Sequence, residues 1–226
     1  MVATREALLL REAISSEGNT LLAVPVPVSV HMEELDRKRG EHSDMASNRP
    51  PTEITEEGRY WLRSQEVSDS PQIAGDGYFA KHDVTHPEQL TTEDLPPTDD
   101  GAVRELDCEA LEQAKLIGKW QLTGAAETID QLWPAIVDDA AEEILWAAKA
   151  MTAFGRQELP YDEYMIVVYT HNYFEKHDVT RVREHLREEY GITHDLYYKP
   201  DIYTAEGIVA NTAEERGLSM PARYQG

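Results

Sequence analysis

The 226-residue sequence predicts an α/β (α+β) domain over residues 58–226 behind an irregular N-terminal extension, residues 1–57. Three observations predict it. Tyr164-Met165-Ile166-Val167-Val168-Tyr169 is a strand-length run of β-branched and aromatic residues. After Asp178, residues Val179, Val182, Leu186 and Tyr190 recur three or four apart, the stripe of an amphipathic helix, and Gly191 closes it. Gly118-Lys119-Trp120-Gln121-Leu122 and Leu196-Tyr197-Tyr198-Lys199 read as further strands, the second ended by Pro200.

The remaining elements are read in chain order. Residues 4–15 space Leu8, Leu9 and Ile14 as a short helix that needs a surface to pack on. Residues 21–30 are apolar but carry Pro25 and Pro27, whose missing N–H groups allow only an edge strand or extended segment. Residues 37–57 turn polar and Pro-containing and predict a mobile linker, with the folded domain starting at a strand over 58–63. Residues 91–101 predict a long surface loop, and 106–116 a short helix. Thr128 and Gln131 have capping-box spacing ahead of Leu132, Trp133, Ile136 and Val137, and Pro134 would sit better in a helix that begins at Asp130. Residues 145–154 fit helix or strand. Asp178 is the expected cap of the helix that follows it.

One octapeptide occurs twice with a single difference, Tyr78-Phe79-Ala80-Lys81-His82-Asp83-Val84-Thr85 and Tyr173-Phe174-Glu175-Lys176-His177-Asp178-Val179-Thr180. It reads as a favoured helix opening with an Asp cap, or as two copies of a ligand-contacting turn.

The formal net charge is −22, from 43 acidic and 21 basic residues. Such self-repulsion opposes a compact state unless salt screens it, which suggests a protein adapted to a cytosol of multimolar salt. It also argues against bulk coating of DNA or anionic membrane, which needs clustered Lys and Arg, and leaves room only for a local cationic pocket. The one cysteine, Cys108, rules out an internal disulfide and suits a reducing compartment. With no apolar run of membrane-spanning length and no signal-peptide pattern at Met1, a cytoplasmic location and no membrane partner are expected. The sequence does not define an oligomeric state.

No metal is expected, because the eight His are dispersed without ligand spacing, and no cofactor, because Gly-rich nucleotide loops and the Gly-x-Ser-x-Gly elbow are missing. The chemistry left is cationic. Lys149, Arg181 and Lys199 lie in or beside core elements, where a cation is costly unless it meets an anion. Arg181, Arg183, His185 and Arg187 make one helix face the densest cationic cluster of the chain.

In order, Gly118-Lys119-Trp120, Leu132-Trp133, Ala148-Lys149-Ala150-Met151-Thr152, Val167-Val168-Tyr169-Thr170, Asp178-Val179-Thr180-Arg181-Val182 and Tyr198-Lys199-Pro200-Asp201-Ile202-Tyr203-Thr204 resemble the basophilic-leukaemia-expressed (Bles) family over residues 117–209. The resemblance implies a fold like that of the cap-binding translation initiation factor, a curved, mostly antiparallel sheet backed by helices with a ligand site on its concave side. Relatives in salt-loving microbes carry the label phosphothreonine lyase.

Two readings follow. In the first, Lys149, Arg181 and Lys199 hold the phosphate of a small molecule, nucleotide, RNA end or phosphopeptide, and Tyr198 or Trp120 supports the rest of the ligand. In the second, the protein is an enzyme that eliminates phosphate from phosphothreonine, with Lys149 or Lys199 as base and His171 as acid; a lysine starts near pKa ~10.4 and must be brought down to act. A protein-interaction platform is the third possibility. Because the Debye length shrinks to about 3 Å at 1 M salt, the melting temperature should rise as KCl is raised from about 0.2 to about 2 M; a flat or falling melting temperature contradicts the salt adaptation.

Overall fold

The structure is a computed structural model that describes residues 49–67 and 76–226. The expected helix at 4–15, the extended segment at 21–30 and the linker up to residue 48 lie outside the described residues.

Six strands form one sheet in the order β1-β3-β4-β2-β5-β6, with every neighbouring pair antiparallel. They are β1 Trp61–Arg63, β2 Gly118–Gly124, β3 Ala147–Met151, β4 Tyr164–Thr170, β5 Tyr197–Pro200 and β6 Tyr224–Gln225. The helices are α1 Ser64–Val67, α2 Asp76–His82, α3 Gly101–Glu112, α4 Ala126–Ala141, α5 Ala153–Glu158, α6 Lys176–Tyr190 and α7 Asp201–Ala205. The mixed architecture with a curved antiparallel sheet backed by helices is the one expected.

The long helices α4 and α6 follow from the pairing. Strands β2 and β3 both run antiparallel to β4, so they are parallel to each other and need a crossover, which α4 supplies. Strands β4 and β5 flank β2 in the same way, and α6 joins them. Both helices pack on one side of the sheet. There Ile129, Trp133, Ile136 and Val137 of α4 and Val179, Val182 and Leu186 of α6 meet Trp120, Leu122, Ala148, Ala150, Ile166 and Val168 in the main core.

Several local expectations are corrected. Pro51 and Ile54 are buried, Ile54 in the main core, so packing reaches back ahead of residue 58 and the stretch 49–57 is no free linker. The strand expected over 58–63 pairs only from Trp61. The capping box at Thr128 does not form; α4 starts at Ala126 after Ala125, and Pro134 sits inside it. The helix expected over 106–116 instead runs Gly101–Glu112, because Asp100 accepts from the Ala102 and Val103 N–H groups and opens it earlier. The segment 145–154 divides at Thr152, which ends β3 and caps α5 by accepting from the Gly155 N–H at 2.9 Å.

The two octapeptide copies adopt different structures. Tyr78 to His82 ends α2, with Asp83 just beyond it at φ 53°, whereas Tyr173 and Phe174 precede α6. Asp178 is not the cap of α6. Glu175 holds that position, and Asp178 lies fully buried in the first turn. Tertiary contacts decide this difference: Tyr78 donates to Asp178 at 3.0 Å, and Tyr173 donates to the equally buried Asp107 at 2.8 Å. Each of these carboxylates also meets an arginine, Arg181 at 2.7 Å and Arg223 at 3.0 Å. The copies also pack on each other, where Thr85 N–H donates to the Glu175 carboxylate at 3.3 Å and the His177 ring meets the His82 carbonyl at 3.1 Å.

Gly155 has no room for a side chain, since a Cβ there would lie 2.2 Å from the Tyr60 carbonyl oxygen. A backbone oxygen that also accepts from the Thr152 N–H cannot step aside. Gly155→Ala should therefore cost about 1–3 kcal/mol of stability, in the range of core overpacking, measured by urea unfolding; a cost within error of zero contradicts this packing.

Candidate functional site

Side chains alternate across a strand, so the residues between the core-facing ones share the second face, away from α4 and α6. Two adjacent rows of that face follow from the register. One runs Lys199, Lys119, Tyr169, Ala147 across β5, β2, β4 and β3. The next runs Tyr197, Gln121, Val167, Lys149, Arg63 across β5, β2, β4, β3 and β1. The sheet thus gathers three lysines and an arginine on one face of a strongly acidic protein.

All three lysines are deeply set, with relative exposures of 6% for Lys119, 7% for Lys149 and 2% for Lys199. Each has compensation. The Lys149 ammonium lies 4.4 Å from the centroid of Trp61 and 5.7 Å from that of Tyr169, and such contacts contribute from about 0.5 to about 2 kcal/mol as water is excluded. Lys119 donates to the Asp201 carboxylate at 2.6 Å, and its ammonium lies 6.0 Å from the Tyr169 ring centroid. Lys199 donates to the Ile208 carbonyl at 2.6 Å.

Lys119 and Lys199 stand directly opposite each other on neighbouring strands, where like charges repel. Burial first, and the Lys119 charge second, bring Lys199 down to about 7, against a smaller upward pull from Asp201. At neutral pH its amine is therefore partly unprotonated, a state that an ordinary lysine hardly populates.

The residues singled out from the sequence divide between the two faces. Lys149 and Lys199 belong to the second face. Trp120, Tyr198 and Arg181 do not. Trp120 is 1% exposed and donates its indole N–H to the Val179 carbonyl of α6 at 3.0 Å. Tyr198 is fully buried against it, ring centroids 5.0 Å apart, and shares a hydrogen bond with the Thr170 hydroxyl. Both are core residues, as the alternation of β2 and β5 requires. Arg181 is held by Asp178, by the Tyr78 oxygen at 2.9 Å and by the Ile144 carbonyl at 2.9 Å, which makes it an anchor between α6 and α2.

His171 lies just beyond β4 among rings, 4.6 Å from Phe79 and 4.6 Å from Trp146 between centroids. Burial, then the neighbouring His86, lowers its pKa, so the ring is neutral at neutral pH and poorly suited to act as an acid. The rest of the cationic helix face is also engaged: His185 meets Asp139 at 2.6 Å, and Arg187 donates to the Ile192 carbonyl at 3.1 Å.

Sequence reading missed Lys119, Trp61, Tyr169 and Asp201. The signal for Lys119 was present, since its neighbours Gly118 and Trp120 point to the core and a strand must then turn Lys119 the other way. Among the described residues no cluster of His, Cys, Asp and Glu could hold a metal ion, and no helix is long and apolar enough to cross a membrane.

The model of the family described as basophilic leukemia-expressed protein Bles03 matches residues 42–206. The chain belongs to the Bles03 family. The Bles03 match takes in β1 to β5 and every lysine of the second face, and it begins ahead of Ile54, in keeping with that residue's place in the core. Solved structures similar to the chain include Schistosome eIF4E complexed with m7GpppA and 4E-BP, at 12% identity over 67% of this chain and 80% of that chain with a TM-score of 0.31. A second, with m7GpppG and 4E-BP, has 13% identity, the same coverages and a TM-score of 0.32. Overlays this loose carry no argument about ligand or chemistry, which rest on this Bles03 chain's own residues.

A cation whose folded pKa is lowered weakens the fold while it is charged. Between about 7 and the ordinary 10.5, the unfolded chain binds a proton at Lys199 that the folded chain does not, so stability rises with pH across that window and the full penalty applies below it. Lys199→Met removes the penalty. Urea unfolding at about pH 6, 8 and 10 should show the variant's relative advantage shrinking as pH rises; a pH-independent difference contradicts the lowered pKa.

Proposed function

We propose that the second face of the sheet binds a phosphate-bearing ligand, a nucleotide, RNA end or phosphopeptide, in a protein adapted to high salt. The observation that carries this reading is the placing of Lys199, Lys119, Lys149 and Arg63 on adjacent rows of one face, interleaved with Tyr169 and Trp61, in a chain of net charge −22. Structural ion pairs alone would not require cations to gather there, because carboxylates outnumber them two to one over the whole chain, 43 to 21.

The aromatic neighbours matter in salt. Phosphate contacts weaken steeply as ions are added, whereas stacking and apolar contact are screened less. Asp201 holds Lys119 in place and balances its charge, and an incoming phosphate would compete with it for the ammonium. The Trp61 and Tyr169 rings lie 4.4 and 5.7 Å from the Lys149 ammonium.

Calorimetric titration in about 2 M KCl with ATP, a 5′-phosphorylated RNA oligonucleotide and a phosphothreonine peptide tests this. At least one should bind, and the pair Lys119→Gln and Lys149→Gln should weaken it by tenfold or more, about 1.4 kcal/mol or above. Arg183→Gln, on the helical side, should leave it unchanged. No binding by any of the three removes the reading.

A second reading is favoured by the lowered pKa of Lys199. A neutral amine there could take the α-proton of phosphothreonine; the C–O bond then breaks, phosphate leaves with the bonding pair, and a double bond forms in the residue. Mass spectrometry of a phosphothreonine peptide incubated with the protein should then show a dehydrated, phosphate-free product that Lys199→Met abolishes. Return of an intact peptide, or of plain threonine, excludes elimination.

A further inference from the structure

The second face ends, beyond Tyr169, in an aromatic cluster that the lysine rows do not explain. Phe79 of α2 stacks on His86 with centroids 4.0 Å apart and planes 22° from parallel, and its ring meets His171 edge-on. His171 in turn meets Trp146 edge-on. Trp146 directly precedes Ala147, the cross-strand partner of Tyr169, and His171 follows Tyr169 by two residues. The cluster is therefore continuous with the row that carries Lys119.

Two of its polar atoms have no hydrogen-bond partner, the Trp146 Nε1 and the His171 Nδ1, and both are buried. Trp146 is only 7% exposed. Buried polar atoms are nearly always paired, so each of these two nitrogens, on rings that touch edge-on, calls for a partner. The chemistry of that partner is constrained. An indole N–H can only donate, so the partner brings an acceptor; the neutral His171 ring can donate or accept at Nδ1 according to its tautomer. A planar group with an acceptor beside a second polar atom, as on the amide edge of a base, satisfies both. The stack of His86 on Phe79 shows that this site takes a flat ring against Phe79, and the segment that brings His86 continues into Glu88 and Gln89, which are exposed.

We propose that Trp146, His171 and Phe79 form a nucleobase subsite, in which the base edge pairs with the two orphaned nitrogens and the base takes the place of His86 against Phe79. The further step, that the phosphates of the same ligand lie along the neighbouring lysines, rests on the function proposed above; the base subsite itself does not.

The test uses the full chain with 15N in its tryptophan indoles, which number four, and identifies the Trp146 signal by its loss in Trp146→Phe. Adenosine, guanosine, cytidine and uridine, none carrying phosphate, are titrated up to their solubility, and tripolyphosphate is titrated separately. One nucleoside should move the Trp146 N–H signal saturably. His171→Phe, which keeps a ring but deletes Nδ1, should weaken that nucleoside by about tenfold, the effect of losing one hydrogen bond, with its melting temperature as the check on folding. If no nucleoside moves the Trp146 signal, the orphaned atoms are served by water and the subsite is wrong. Unweakened binding by a folded His171→Phe overturns it equally. Binding of tripolyphosphate with silent nucleosides would sink the base subsite and leave the phosphate reading standing; the opposite pattern would do the reverse.

Discussion

The seven-residue pairing of β2 with β4, Gly118 opposite Thr170 through Gly124 opposite Tyr164, is the constraint on which the rest of the molecule depends. Because a strand sends alternate side chains to opposite sides, this one register decides two things together. It places Trp120, Leu122, Ile166 and Val168 under the helices, and it places Lys119, Gln121, Val167 and Tyr169 on the other side. A shift of one residue would drive Lys119 into the apolar core and bring Trp120 out. The core and the cationic face are consequences of the same pairing.

The buried charges form a consistent pattern around that sheet. On the helical side, Asp178 and Asp107 are neutralised by Arg181 and Arg223 and each accepts from a tyrosine hydroxyl, so each buried carboxylate has both an ion pair and a hydrogen bond to offset its burial. Those groups anchor α2, α3 and α6. On the second face, Lys149 lies against aromatic rings, Lys119 pairs with one carboxylate, and Lys199 gives up part of its charge. Cations gathered on one face and interleaved with aromatic rings set this side of the sheet apart from the helical side. The high acidity elsewhere makes the concentration of positive charge there more selective, because anions are repelled from the remaining surface.

Much of the fold was legible because period and length agree in its central elements. Tyr164 to Tyr169 is strand by composition and lies in the middle of the sheet, and the Val179, Val182, Leu186 stripe lies against the core as α6. Local cap signals were less reliable. Asp178 has the chemistry of a cap, yet a buried tyrosine and arginine claim its carboxylate; Thr128 has capping-box spacing, yet α4 begins before it. The repeated octapeptide shows the same limit, since nearly identical residues end one helix and lead into another under different neighbours. Among the candidate residues, Lys149 and Lys199 stood out because a charge within an apolar strand is conspicuous. Trp120 and Tyr198 were misassigned because an aromatic in a strand has the same appearance whichever face it takes, and only the cross-strand register decides.

The most direct test of the account is a crystal of the protein soaked in tungstate, a heavy phosphate analogue, and measured at the tungsten absorption edge. The account predicts an anomalous peak within hydrogen-bonding reach of the Lys119 or Lys149 ammonium on the second face. Peaks confined to the arginines of α6, with the second face empty, would contradict it.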